Sequence, residues 1–95
     1  MLGEGTSSSV LRARVLRHEY RDSMVLMYLS SRLENEPGVL RAVAIMGTPA
    51  NKNLLTTLDL ASPEMETAGP NDLVAVVRGA DDVAATSALD RKSVV

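Results

Sequence analysis

Cysteine, phenylalanine and tryptophan are absent from this 95-residue chain, histidine occurs once, and Tyr20 and Tyr28 are its only aromatic side chains. Without cysteine there is no disulfide framework and no thiolate for metal or redox chemistry, which fits a reducing cytoplasm. The formal net charge is −2, so the concentrated basic face and stacking platforms that a nucleic-acid partner requires are missing. No apolar run approaches the length of a membrane span, and Met1 to Ser9 lacks both the basic start and the apolar stretch of a signal peptide. Neither nucleic acid nor a membrane is therefore expected as a partner.

What remains is an aliphatic protein. Ninety-five residues suffice for one small domain, and Val, Leu, Ala, Ile and Met must supply its burial. Aliphatic side chains bury less area apiece than aromatic rings, so such a domain has marginal stability and gains from a partner. Residues 1–9, rich in Gly and Ser, read as a disordered lead-in, and residues 10–95 as a single α/β domain.

Three strands and three helices alternate along it. From Val10 to Arg17 a period of two puts Leu11, Ala13 and Val15 on one face and Arg12 and Arg14 on the other, a strand with one solvated side. Asp22 offers an N-cap, and Val25, Leu26, Leu29 and Leu33 recur at helical spacing, predicting a helix from Ser23 to Glu34. Met24, Met27 and Tyr28 widen its apolar stripe, with Met24, Met27 and Met46 expected in the core as gap-fillers. Glu36-Pro37-Gly38 stops the helix. Val39 to Met46 reads as a strand covered on both faces, and Leu73 to Val77, the most apolar run, as a central strand. Between them Thr48 caps a short second helix with Pro49 at its first position and Leu54, Leu55 and Leu58 on its buried stripe. Asp59 to Pro70 reads as an irregular exposed connection. A third helix, weak in large apolar residues, begins at Asp81 and Asp82 and uses Val83, Ala84, Ala88 and Leu89.

This order predicts an α/β fold, a small βαβαβα layer of three mainly parallel strands with right-handed crossovers. The alternative is a split βαβ, ferredoxin-like α+β arrangement, which would need an extra strand drawn from Thr57 to Ala61.

In open α/β sheets, ligands sit beyond the carboxyl ends of strands, where loops feed helix N-termini. Gly47, Thr48, Asn51 and Lys52 occupy such a position and form the candidate anion-binding site, suited to a phosphate or carboxylate. The turn lacks the second glycine and the Lys-Ser/Thr pair of a P-loop, and the glycine spacing of a dinucleotide fingerprint, so a purely structural capped turn is the competing reading. His18 stands among Arg17, Glu19 and Arg21 with no nucleophile in a catalytic spacing, and reads as solvated. Glu64, Glu66, Asp81 and Asp82 read as loop and cap carboxylates without metal-binding partners. Catalytic residues are unassigned and no metal is expected.

Three blocks carry a family likeness: Asp22-Ser23-Met24-Val25-Leu26-Met27 with Ser31-Arg32-Leu33, then Met46 to Leu55, then Pro70 to Arg78. In order and spacing they resemble the amino-terminal region of the FdrA family. That family is similar to NDP-forming acyl-CoA synthetases and to the α subunit of succinyl-CoA ligase, and is associated with carbamoyl transfer from oxalurate, leaving oxamate, in anaerobic allantoin degradation. The resemblance implies an amino-terminal piece that precedes CoA-binding and ligase-like domains and is inactive alone. CoA and nucleotide are implied only for those other domains, since no glycine-rich CoA-binding turn is present and His18 does not match the phosphorylated histidine of the ligase relatives. The implied partner is a protein, either carboxy-terminal domains or another subunit on which a non-catalytic module docks.

Overall fold

A computed structural model describes residues 9–90. All but the last residue of the lead-in expected at 1–9 falls outside that range, as do residues 91–95. The elements are β1 (Val10–Leu16), α1 (Ser23–Glu34), β2 (Val39–Met46), α2 (Pro49–Thr57), a 3-10 turn (Pro63–Thr67), β3 (Leu73–Gly79) and α3 (Asp82–Asp90). The capping predicted from Asp22 and Thr48 is present: Asp22 accepts from the Val25 N–H and Thr48 from the Asn51 N–H.

The sheet corrects the expected topology. Its order is β1-β3-β2 and both pairings are antiparallel, with Leu16 opposite Leu73 on one side and Met46 opposite Leu73 on the other. The mainly parallel α/β layer is thus overturned. β1 and β2 run the same way but are separated by β3, which gives a ferredoxin-like α+β fold. No extra strand is drawn from Thr57 to Ala61: that segment is the end of α2 and a turn in which Asp59 takes φ 61°.

The reason lies in the connection between β2 and β3. α2 carries the chain out to Asp59, whose carbonyl receives the Arg78 guanidinium near the far end of β3. The 3-10 turn then carries it back, so that Gly47, just after β2, donates its N–H to the Asp72 carbonyl just before β3. A helix followed by a return segment delivers β3 to the end that β2 left, and the pairing must be antiparallel. The polar stretch from Asp59 to Pro70 conceals this return, although Leu60, Met65 and Ala68 within it are buried.

β3 is buried on both faces. On one, Leu73, Ala75 and Val77 pack with Ala42, Ala44 and Met46 beneath Leu29 and Leu33 of α1 and Ala85, Ala88 and Leu89 of α3. On the other, Val74 and Val76 pack beneath Leu55, Leu60, Met65 and Ala68. Where α3 crosses the β2 start, Gly38 adopts φ 78° and a Cβ there would lie 2.6 Å from the Ala84 Cβ, so small residues on both sides bring the elements together.

Met24 and Met27 are the second correction. They are 80% and 71% exposed, whereas Met46 is buried. α1 seats Leu29 and Leu33 on a sheet of only three strands, and its apolar stripe is wider than the surface available to cover it. Among the described residues, no helix is long and apolar enough to cross a membrane.

Candidate functional site at the Gly47–Asp72 junction

The carboxyl ends of β1 and β2 and the start of β3 lie together at one end of the sheet. The sequence-predicted residues Gly47, Thr48, Asn51 and Lys52 all belong to this end. The Gly47 N–H bonds the Asp72 carbonyl at 2.9 Å, and a Cβ on Gly47 would stand 2.7 Å from the Gly69 carbonyl and 2.8 Å from the Ala68 Cβ. Glycine is required here by the close approach of the chain's own backbone. The Thr48 hydroxyl accepts from the Asn51 N–H at 3.2 Å, and the Asn51 side-chain amide donates to the Met46 carbonyl at 2.8 Å. The Lys52 N–H enters the helix ladder through the Thr48 carbonyl, and its ammonium reaches the Glu66 carbonyl at 3.4 Å. With Pro49 lacking a donor, the Ala50 N–H is the one first-turn donor not committed among these contacts.

Asp72 is the centre of the junction, and sequence reasoning passed over it as a flank of β3. The residue is 7% exposed, and Ser62 is the other buried polar residue among the described ones. One carboxylate oxygen accepts from the Gly69 N–H at 2.9 Å and from the Arg17 guanidinium at 3.1 Å, and the other accepts from the His18 N–H at 2.9 Å. The backbone N–H groups of Gly69 and then His18 hold its pKa down to about 2, with Arg17 adding to them against the opposing effect of burial. Arg17 also donates to the Thr67 carbonyl at 2.7 Å and to the Thr67 hydroxyl at 3.0 Å. His18 takes φ 59°, which turns its N–H toward the carboxylate. The Asn71-Asp72 pair before an apolar run was the available signal, since a buried aspartate ahead of a central strand needs donors and the Arg17 turn supplies them.

The other candidates lie elsewhere. Arg12 and Arg14, expected on a solvated face, pair with Asp82 at 2.8 Å and Asp90 at 2.6 Å on α3. Glu64 accepts a short hydrogen bond from the Ser62 hydroxyl, which, followed by its own backbone N–H, holds its carboxyl below the ordinary range. Asp81 caps α3 through the Ala84 N–H.

Comparison with known proteins adds the lineage. A family model described as AllF, heavy metal-associated domain, matches residues 9–93. The chain belongs to this family. It is also 42% identical over 60 residues to the uncharacterized protein YahF of Escherichia coli (strain K12), a match covering 63% of the chain and 12% of that relative. The match spans only about an eighth of that relative's length. No solved structure gives a significant match.

The metal in the family's description can be tested against the donors here. Heavy metals select thiolate, thioether and imidazole ligands. The chain has no cysteine and one histidine, and no group of three His, Cys, Asp or Glu side chains comes together among the described residues. Of the described thioethers, Met46 and Met65 are buried on opposite faces of the sheet, and Met24 and Met27, exposed on α1, offer two soft donors with no thiolate in the chain to join them. This donor set does not fit a heavy-metal centre, and the AllF-type domain described here has its junction held by Asp72 and Arg17.

Proposed function

We propose that the chain is a non-catalytic amino-terminal docking domain of an FdrA-like protein, of the acyl-CoA synthetase or oxamate carbamoyltransferase type, working beside the larger body that carries the chemistry. The observation that carries this reading is the outer face of α1. Met24 and Met27, one helical turn apart, are 80% and 71% exposed, and Tyr28 beside them and Tyr20 in the preceding loop are 58% and 62% exposed. Two thioethers and a phenol on one helix, with a second phenol in the loop before it, are the kind of adaptable apolar side chains that protein partners cover. Arg32 closes one end, donating to the Tyr28 hydroxyl at 2.8 Å with its guanidinium 5.6 Å from the ring centre. Membership of the AllF family and the small share of YahF that the chain matches support the presence of a body to receive this face.

The rival reading makes Gly47, Thr48, Asn51 and Lys52 an anion-binding face toward that body. It retains the Ala50 N–H, the Thr48 hydroxyl proton and the Lys52 ammonium, but the N–H groups of Gly47, Asn51 and Lys52 and the Asn51 side-chain amide already serve acceptors within the chain. One experiment separates the two in a longer FdrA-like protein bearing this domain. Met24→Glu with Met27→Glu is expected to release the domain to limited proteolysis and lower turnover, while Lys52→Ala leaves turnover and phosphate affinity unchanged. Loss of phosphate affinity in the Lys52 variant, with the methionine variant intact, would reverse the assignment.

A further inference from the structure

β2 pairs with β3 on one side only, yet Ala42 and Ala44 in its middle are each 1% exposed. Side chains from two helices reach the backbone groups that the antiparallel ladder leaves facing outward. The Ala44 N–H donates to the Ser30 hydroxyl of α1 at 2.8 Å, and the Ala44 carbonyl lies 3.4 Å from the same oxygen. One helical turn further along α1, the Glu34 carboxylate stands 3.5 Å from the Ala42 N–H. At the end of the strand Asn51 of α2 donates its side-chain amide to the Met46 carbonyl at 2.8 Å. At the start the register shifts between Val39 and Arg41, and Leu40 is left out of the ladder, an irregularity that turns an edge away from further pairing.

The edge behind these contacts is suited to pairing with itself. From Ala42 to Met46 it has neither a charge nor a proline, the usual deterrents on an edge strand. Antiparallel addition of a second copy centred on Ala44 sets Val43 of each copy opposite Ile45 of the other and Arg41 opposite Gly47, so aliphatic pairs meet and like charges do not. The cover over this edge is thin at Ser30. A cleft of about 270 Å³ opens there between Leu26 and Met27 of α1, Ile45 of β2 and Asn51 of α2, so the hydroxyl spans a gap that apolar packing leaves unfilled. Ser30 spends its proton on the Leu26 carbonyl at 2.9 Å within its own helix, which leaves the oxygen lone pairs for the Ala44 N–H.

We propose that the Ser30 hydroxyl is a latch that keeps the β2 edge shut against a second copy of this chain. Without it the Ala44 N–H and carbonyl are unpaired groups on an aliphatic edge, and the β2 strand of another copy supplies their partners. The latch lies on the sheet side of α1 and does not rest on docking through the outer face of that helix.

Ser30→Thr and Ser30→Val test it as a pair, since the two side chains share a shape and a helix preference and differ in the hydroxyl. Sedimentation across a range of concentrations reads association, and amide hydrogen exchange reads the edge, with Val43, whose N–H faces β3, as internal control. Wild type and Ser30→Thr are expected to stay monomeric with Ala44 protected. In dilute Ser30→Val the Ala44 amide is expected to exchange at least about tenfold faster, and on concentration a dimer forms in which Ala44 regains protection while Val43 keeps its own throughout. Ser30→Ala, which adds no bulk, is expected to match Ser30→Val. Four results would each overturn the latch: a wild-type dimer, valine and alanine variants that remain monomeric, association of Ser30→Thr equal to theirs, or loss of Val43 protection together with that of Ala44.

Discussion

The Gly47–Asp72 junction and the outer face of α1 are opposite solutions to the same problem of unsatisfied groups. At the junction, a buried carboxylate, a helix N-terminus and three loop ends answer one another, and hardly a donor is left over. On the outer face of α1, Met24, Met27 and Tyr28, with Tyr20 in the loop before it, are more than half exposed among the described residues. The difference teaches where function is to be sought in a small domain without catalytic constellations. A site most of whose donors serve the chain itself holds the fold, and a surface that leaves apolar area in water is where a partner is to be sought.

The sharpest way to break this contrast is at Gly47. A valine there would meet the Gly69 carbonyl and Ala68 within 3 Å, and overpacking against backbone should cost about 3 kcal/mol, read as a drop in the urea midpoint. Added phosphate would restore little of that loss, since the turn's donors serve the fold. The next effect belongs to Asp72. Its pKa is lowered from 3.8 to about 2 on folding, so its contribution is fully present above the unfolded value and is lost as pH falls from 3.8 toward 2. Asp72→Asn should destabilise the neutral-pH protein and remove that part of the acid limb, which pH-dependent urea melts would register. Thr48→Ala removes the α2 cap and should cost about 1 kcal/mol in the same melts. Smallest of all, Met24→Glu with Met27→Glu should change stability by less than about 0.5 kcal/mol, because the replaced side chains are mostly in water already.

Local structure was legible in the sequence. Asp22 and Thr48 mark their helix starts, the period-two run marks β1, and the bounded apolar run of Leu73 to Val77 marks the central strand, whereas Val39 to Met46, expected to be covered on both faces, is an edge strand with Leu40 exposed. The topology was hidden because the direction of β3 depends on whether the connection from Met46 crosses the sheet once or goes out and returns. That is decided by a 3-10 turn burying Met65 and Ala68 within a polar stretch. Met24 and Met27 were misplaced for a related reason: helical periodicity reports which side of α1 is apolar, not how wide a sheet waits beneath it. At the site, the Thr48 cap was legible, but the partner that explains Gly47 lies more than twenty residues away. Arg17 and Asp72, from distant loops, acquire their meaning only when the sheet brings them together.

Docking through the outer face of α1 is open to direct measurement by calorimetric titration. The 95-residue chain would be titrated into an FdrA-like body lacking its own amino-terminal domain, first as wild type and then with Met24→Glu and Met27→Glu. Saturable binding by the wild type, weakened at least about tenfold in the variant while its thermal stability is unchanged, is the predicted result. Equal affinity of the two proteins, or no binding by a folded wild type, would contradict it.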